Sequence, residues 1–290
     1  MLEVKKARTH FISHLKKNKR SPQTIANYDR HIDDLINFLN GLKRKHVHHI
    51  TKKDLVEFIE YLEKKGYSKK SIISKAVTTR TFFKFLQLKE YITSNPAIAL
   101  QMVKQKTVEP DMRVLSEVEY RALRDSVKDN PRFYGIIELL LQTGIKIGEL
   151  TRITLKDLDF NKTSSRLKIR TTSNKVDREI PLNKKAEVAI KEYLRVRPQT
   201  KEQILFVTKT GKPFLIRNIR SAIKRYYKKA GVTDAKVHDL RHTFIAHHLK
   251  KGTSILVVAK MAGHKKLTTT EKYLSFIEDS PEDQIEKNAL

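Results

Sequence analysis

Apolar side chains recur every three or four residues through the first hundred positions, which is the spacing of amphipathic helices. One such pattern follows Ser21-Pro22, an N-cap residue followed by a first-turn proline. Another begins after the N-cap residue Thr51, and a third runs from Ser68 to Leu86. With a shorter helix near Phe11 to Leu15, the pattern predicts a four-helix domain over residues 1–100.

Helical spacing returns after residue 113, but an extended segment interrupts it. Ser116 and Glu119 have the arrangement of a capping box and start the first helix of this part. Apolar and polar residues then alternate on both sides of a turn at 172–174, which predicts a β-hairpin ending near Leu182. Helices resume at Lys184, with a short extended piece at 204–207.

The segment between these two parts, residues 101–113, has weak apolar periodicity and contains a proline. It is predicted to be an extended, exposed linker. The fold class expected is therefore mainly α with a small β-hairpin (α+β). It comprises an N-terminal helical domain over 1–100, the linker, and a C-terminal domain over 114–290.

The strong positive charge of the chain indicates what kind of molecule it binds. The chain has 60 Lys and Arg against 32 Asp and Glu, a net charge of +28, and residues 1–100 alone hold 21 basic and 9 acidic side chains. Because both parts are basic, a polyanion held by two domains fits better than one bound by a charged tail. A highly charged thermophile-like or ribosome-associated surface is the alternative. The sequence has no cysteine, no secretory leader and no apolar run of membrane-spanning length, so a cytoplasmic protein is expected.

One helical segment, Val237 to Phe244, carries residues that titrate or bind anions. His238 and Arg241 are three residues apart and share a helix face, so one phosphate could receive both a guanidinium and an imidazole. His238 and His242 have the spacing of a helical zinc pair. However, the glutamate that normally follows the first histidine is missing and the chain has no thiolate, so no metal or other cofactor is expected.

A second segment, Met261 to His264, ends an apolar helix with Gly-His, which places an imidazole at a chain reversal. Tyr273 follows nine residues later. The threonines at 268–270 can cap a new short helix, so Tyr273 is predicted to lie on that helix beside His264.

Taken together, His-Asp-Leu-Arg-His-Thr, Gly-His, Thr-Thr and Tyr resemble the signature of the tyrosine recombinases. Ser21 to Tyr28 and Asn95-Pro96-Ala97 resemble the core-binding domain of that family, so the resemblance spans the whole chain. The length resembles the compact Xer-type members, which lack the additional arm-binding domain of phage integrases.

The resemblance implies a role for each matching residue. Tyr273 would be the nucleophile and Arg241 would hold the nonbridging phosphate oxygens, together with His238 and His264. The family's hairpin lysine, which protonates the leaving 5′ oxygen, matches Lys175 best. Because the proline after Lys175 lies one residue further away than in the commonest pattern, Lys168 and Lys162 remain lesser candidates.

One position departs from the family pattern. Thr-Gly-x-Arg-x-x-Glu-Leu becomes Thr-Gly-Ile-Lys-Ile-Gly-Glu-Leu at 143–150, so Lys146 replaces an arginine. Glu149 matches the family's glutamate and is expected to orient the side chain at 146.

The expected function is site-specific DNA recombination through a 3′-phosphotyrosyl intermediate, without metal or ATP. The resemblance implies that four protomers act together on two DNA sites, each built of paired half-sites. Three alternatives stay open: a DNA-binding relative impaired at Lys146, a topoisomerase-like nicking and closing enzyme, and a basic RNA-binding or ribosomal protein.

Overall fold

The computed structural model describes residues 1–102, 112–161 and 164–276. Contacts within the chain divide it into two units, Met1–Glu109 and Pro110–Leu290. Residues 103–111 of the predicted linker lie outside the described residues, so its extended conformation stays a prediction.

The first unit contains the four predicted helices within residues 1–102. They are α1 (Val4–Lys17), α2 (Pro22–Gly41), α3 (Lys52–Lys64) and α4 (Lys69–Leu88). Two short 3-10 turns accompany them, Val47–His49 and Pro96–Met102.

Side-chain caps start three of these helices where the sequence predicts them. The Ser21 hydroxyl accepts the backbone N–H of Thr24, and Thr51 forms a capping box with Asp54. The Ser68 hydroxyl caps α4 in the same way. Each such cap contributes about 1 kcal/mol by satisfying an N–H group that the helix leaves unpaired.

The interior of the first unit is aliphatic and aromatic. Phe11, Phe82 and Phe83 are almost completely buried, and the Phe11 and Phe82 rings meet edge to face at 5.3 Å between centroids. Burial of one such side chain contributes about 1.5–3 kcal/mol, whereas an exposed ion pair contributes about 0–1 kcal/mol. Packing, rather than surface charge, therefore stabilises this unit.

The second unit combines helices with one small sheet. Its helices are α5 (Glu117–Val127), α6 (Pro131–Thr143), α7 (Ile147–Leu150), α8 (Lys184–Arg195), α9 (Ile216–Lys229), α10 (Val237–Lys250), α11 (Ile255–Ala262) and α12 (Thr268–Glu271). Its strands are β1 (Leu158–Phe160), β2 (Ser165–Arg170) and β3 (Val176–Pro181). The 3-10 turns Leu155–Asp157 and Leu274–Phe276 complete the list of described elements.

The sheet contains the predicted hairpin and one further strand. β2 and β3 pair antiparallel, with Leu167 opposite Ile180, and both side chains are buried. β1 pairs with the other edge of β2, which the sequence analysis does not anticipate. The predicted extended piece at 204–207 forms only isolated bridges, Thr154 with Ile204 and Val207 with Pro213.

The inward face of the sheet joins the helices in one core. Leu167, Ile169 and Ile180 belong to the same buried cluster as Ile136 and Leu140 of α6. A smaller cluster lies where α10, α11 and the turn after α12 meet, and it contains Phe244, Val258 and Tyr273. The mainly α fold with a small antiparallel sheet, predicted from the sequence, is confirmed.

Candidate active site

Arg241 is at the centre of the site, on α10, with only 2% of its surface exposed. At the start of this helix the carboxylate of Asp239 accepts the backbone N–H of Lys236 at 2.6 Å. Nη1 of Arg241 donates to the backbone oxygens of Gly144 at 2.6 Å and Ala262 at 2.7 Å. The guanidinium therefore joins the end of α6 to the end of α11.

Gly144 permits this close approach. It ends α6 in the left-handed region at φ +61°, and a Cβ built on it would lie 2.2 Å from Cδ1 of Phe244. Only glycine combines this backbone conformation with the lack of a Cβ. The conformation of Gly144 thus positions its backbone oxygen to accept the hydrogen bond from Arg241.

Tyr273 is 3% exposed and its hydroxyl lies 2.6 Å from Nδ1 of His242. Burial raises the pKa of Tyr273 to about 12, although the positive charge of Arg241 acts to lower it. The threonines at 268–270 predict that Tyr273 lies on a helix that they cap, and this prediction is wrong. α12 begins after Leu267 without a side-chain cap and ends at Glu271, so Tyr273 occupies the turn that follows.

His264 lies beside Tyr273, as predicted. Gly263 ends α11 at φ +70°, and the reversal brings the two rings to a stacked arrangement with 6.4 Å between centroids. Nδ1 of His264 is 2.8 Å from the hydroxyl of Thr270, which is the observed role of one of those threonines. Burial, with the charges of Arg241 and Lys146, lowers the pKa of His264 to about 4, so its ring is neutral at neutral pH.

His238 lies at the start of α10 and is exposed. Its ring meets the ring of His242 edge to face at 4.6 Å between centroids. Although His238 as a whole is exposed, its ring is partly desolvated, which lowers its pKa, and the nearby charges of Arg241 and Lys146 lower it further. His242 belongs to this group, although its spacing in the sequence suggests only half of a zinc pair. The sequence places His242 on the helix next to Arg241, but it does not predict the contact with Tyr273, which lies 31 residues away in the chain.

Lys146 immediately precedes α7. Its pKa is lowered, first by the desolvation of its ammonium and then by the charge of Arg241. The negative charge of Glu149 acts in the opposite direction, to raise the pKa of Lys146. Its carboxylate accepts the backbone N–H of Lys146 at 2.8 Å and forms its ion pair with Arg178.

Arg178, on β3, is a buried residue of the site that the sequence analysis misses. It donates through Nη1 and Nη2 to the two carboxylate oxygens of Glu149, at 3.1 and 3.0 Å. Its Nε donates to the backbone oxygen of Met261 at 2.8 Å. A Cβ on Gly263 would lie 2.6 Å from Nη1, so this turn packs directly on the guanidinium. Its position could have been predicted from the strand pattern, because Arg178 lies two residues before Ile180 and so shares the inward face of β3.

Lys175 lies at the end of the β2–β3 turn. Its backbone closes the hairpin, with the N–H of Thr171 donating to the Lys175 oxygen at 2.8 Å, and its side chain is exposed. Among the described residues, no hydrogen bond or ion pair joins the side chain of Lys175 to Arg241, Tyr273 or the histidines beside them. Lys168 faces Glu179 across the hairpin at 4.0 Å, and Lys162 lies outside the described residues.

A groove of about 1110 Å³ opens beside His238 and Arg241. Its floor includes Ile145 and Tyr227, and its rim carries basic side chains from α9 and the following loop: Arg220, Lys224, Arg225, Lys228 and Lys236. Asp234 also lines it. The basic rim is suited to an anionic polymer that passes the site.

Neither a metal-ligand cluster nor a membrane-spanning helix occurs among the described residues, 1–102, 112–161 and 164–276. They contain no group of three or more His, Cys, Asp or Glu side chains arranged to hold a metal ion. No helix among them is both long and apolar enough to cross a membrane.

Comparison with known proteins gives consistent matches over nearly the whole chain. The model described as "Phage integrase family" matches residues 113–277, and "Phage integrase, N-terminal SAM-like domain" matches residues 9–90. Tyrosine recombinase XerC of Staphylococcus carnosus is 32% identical over 263 residues, which is 87% of this chain and 86% of that protein.

Two solved structures resemble this fold. The crystal structure of XerA recombinase is 27% identical, with a TM-score of 0.55 and 98% of each chain covered. The Tn1549 transposon integrase, solved in complex with circular intermediate DNA, has a TM-score of 0.78 at 22% identity and 100% coverage of both chains.

Proposed function

The chain belongs to the phage integrase family, and we propose that it is a site-specific recombinase that cuts and rejoins DNA through a covalent bond to Tyr273. The observation that carries the assignment of the nucleophile is the position of its hydroxyl. That hydroxyl is held 2.6 Å from a histidine of α10, one residue after the buried Arg241. Tyrosine, arginine and imidazoles in one place are the groups that phosphoryl transfer to a side chain requires.

Arg241 is proposed to stabilise the phosphorus centre during attack. Negative charge grows on the nonbridging oxygens of a phosphodiester in the transition state, and a fixed guanidinium can donate to them. The two backbone oxygens bonded to Nη1 hold Arg241 in place before DNA binds. Such preorganisation is effective because the residue need not reorganise during the reaction. His238, His264 and Lys146 are proposed to complete this phosphate site.

Attack by Tyr273 leaves a 3′-phosphotyrosine and a free 5′ hydroxyl. The leaving 5′ oxygen needs a proton, which we assign to Lys175 on the hairpin. The exposed position of Lys175 suits a group that meets DNA. Because the phosphotyrosyl bond keeps the energy of the phosphodiester, the strand can be rejoined without ATP.

Duplex DNA is the proposed substrate, and its backbone is proposed to follow the basic groove beside Arg241. The excess of positive charge in both units supports contacts with phosphates from each of them. We further propose that four copies act together on two sites with paired half-sites, in the cytoplasm. The resemblance to recombinases of this length supports this assembly.

The matches to tyrosine recombinases do not favour the alternative of a DNA-binding relative that no longer cleaves. The specific observation behind it is Lys146, where the family pattern has arginine. Such a protein would keep its affinity for DNA while losing transition-state stabilisation.

A suicide duplex tests the proposal. This substrate carries a nick near the cleavage point, so the short fragment with the free 5′ hydroxyl diffuses away and the covalent complex accumulates. We expect the chain to form a complex stable to denaturing gels and Tyr273→Phe to form none, while DNA affinity stays nearly unchanged.

Tyr226→Phe is the matched control. Its hydroxyl accepts a hydrogen bond from Nδ2 of Asn130 at 3.1 Å and takes no part in the proposed site. It should form the complex as the unmodified chain does. A phosphotyrosyl complex that survives in Tyr273→Phe would overturn the assignment of the nucleophile.

A further inference from the structure

Three imidazoles lie around Tyr273, but their contacts differ. Nδ1 of His242 is 2.6 Å from the phenolic oxygen, and the two rings are tilted with 5.5 Å between centroids. His264 stacks on the Tyr273 ring and directs its Nδ1 to Thr270. The ring of His238 packs against that of His242 and not against the phenol. Among the described residues, the phenolic hydroxyl therefore has its hydrogen bond with His242.

We propose that His242 is a catalytic residue that accepts the phenolic proton of Tyr273 during strand cleavage, an inference that rests on the recombinase function proposed above. As the bond between the Tyr273 oxygen and phosphorus forms, the bond between phosphorus and the 5′ oxygen breaks. The phenolic hydrogen moves to Nδ1 of His242, and Lys175 supplies a proton to the leaving 5′ oxygen. In religation each proton returns, so His242 protonates Tyr273 as the phenol leaves.

Geometry is the first criterion for a proton acceptor, and His242 meets it. A candidate must lie within about 2.6–3.2 Å of the oxygen that loses the proton. His242 is 9% exposed and Tyr273 is 3% exposed, so the hydrogen bond is shielded from water. In the tautomer of His242 that has no hydrogen on Nδ1, the phenolic hydroxyl donates to that nitrogen.

The charge state of His242 is also suitable. Burial lowers its pKa to about 4, and the neighbouring His238 and Arg241 act in the same direction, so the ring is neutral at neutral pH and has one nitrogen free of hydrogen. Because the pKa of Tyr273 is raised to about 12, complete transfer of its proton to His242 before the phenolic oxygen attacks phosphorus is strongly unfavourable. The proton therefore moves as attack proceeds, because the phenolic oxygen loses basicity while it becomes an ester oxygen. A phosphodiester bound at Arg241 also adds negative charge, which favours protonated His242.

The other two histidines are suited to different work. His264 already shares a hydrogen bond with Thr270, and His238 is exposed at the edge of the groove. Both positions suit contact with phosphate oxygens, which is the role the resemblance implies for them. Of the three imidazoles, His242 is thus the one positioned to accept the proton of the Tyr273 hydroxyl.

The test is single-turnover cleavage of a suicide duplex by the full chain, His242→Leu and His242→Asn. Loss of a general base lowers rates by about 10²–10⁴-fold, and we expect a decrease in that range for His242→Leu with DNA affinity unchanged. Asparagine can accept the hydrogen bond but cannot take the proton. His242→Asn should therefore recover only a small part of the lost rate.

A second substrate separates the two ends of the reaction. With sulfur replacing the bridging 5′ oxygen at the cleavage point, the leaving group departs as a thiolate and needs no proton. The sulfur substrate should rescue Lys175→Ala but leave His242→Leu slow, because the missing step in His242→Leu lies at the nucleophile.

Controls keep the result interpretable. His248→Leu makes the same change two positions before the end of α10, on a ring that packs on Phe244 and not on Tyr273, and it should cleave at the unmodified rate. Thermal unfolding of each variant identifies any that does not fold. If His242→Leu does not fold, His242→Asn on both substrates decides the question.

Several outcomes would overturn the proposal. One is that His242→Leu cleaves at the rate of the unmodified chain or faster. Another is that the cleavage rate of His242→Asn lies within about threefold of the unmodified rate. The third is that the sulfur substrate restores cleavage by His242→Leu. Covalent complex formation by Tyr273→Phe is a separate result, since it would refute the proposed nucleophile rather than the role of His242.

Discussion

Lys146 and arginine carry the same charge, but they present it differently. Arginine offers a planar fork that can grip two phosphate oxygens, whereas lysine supplies one mobile ammonium. In this structure the nearby carboxylate of Glu149 is held by Arg178. Replacing Lys146 with arginine should therefore improve the geometry of phosphate binding without changing the charge.

We predict that Lys146→Arg accelerates cleavage by about 10²–10³-fold, because one oriented contact in the transition state is worth roughly 2–4 kcal/mol. Affinity for uncleaved DNA should change little. Single-turnover cleavage and equilibrium binding on the same suicide duplex measure both quantities. An unchanged rate, or an affinity that changes as much as the rate, would show that Lys146 is not a transition-state ligand.

The sequence could indicate some residues of the site but not all of them. Arg241, His264 and Tyr273 belong to short patterns with defined spacing, and the structure brings them together. His242 was ambiguous because its spacing from His238 also fits a metal pair. Its contact with Tyr273 depends on how the turn after α12 folds back on α10, which no local pattern encodes.

At the scale of elements, the helix starts were the most predictable features. Ser21, Thr51 and Ser116 each cap the helix that the sequence assigns to them, because capping depends on residues within one turn. β1 was missed because three residues are too few for alternation to be recognised. Its place in the sheet comes from pairing with β2, which is a tertiary contact.

Arg178 connects β3, the start of α7 and the end of α11. Its side chain is 4% exposed and that of Glu149 is 12% exposed, so their ion pair is buried. Removal of one partner from a buried pair leaves an unpaired charge and costs about 3–5 kcal/mol. We predict that Arg178→Met lowers the free energy of unfolding by this amount. Arg178→Met combined with Glu149→Gln should recover part of it, because the buried negative charge is then absent.

Arg166→Met is the matched control, since Arg166 lies on the neighbouring strand β2 and pairs with Glu179 at 3.7 Å in an exposed position. It should cost no more than about 1 kcal/mol. Urea unfolding of the intact chain measures each variant. Similar losses for Arg178→Met and Arg166→Met would mean that the Arg178 pair does not hold these three elements together.

At the scale of the whole molecule, charge is the dominant feature. The net charge of +28 is spread over both parts of the sequence, and basic side chains line the groove beside Arg241. Binding to DNA then releases counterions from each phosphate that is neutralised, so affinity falls as salt rises.

We predict a steep salt dependence of DNA affinity. A protein that contacts six to ten phosphates loses about 10³–10⁵-fold in affinity between roughly 50 and 200 mM salt. Fluorescence anisotropy over a salt series, with the full chain and with a fragment starting near residue 114, measures the slope for each. We expect a smaller slope for the fragment. Equal slopes would mean that residues 1–100 contact no phosphate.

Peptide mapping shows directly whether Tyr273 becomes covalently linked to DNA. The complex formed on a suicide duplex is digested with a protease and a nuclease, and mass spectrometry identifies the peptide that retains a nucleotide on its 3′ phosphate. We expect this peptide to contain Tyr273, with the nucleotide attached to its phenolic oxygen. A nucleotide attached to Tyr226, Tyr227 or any other residue would contradict this assignment.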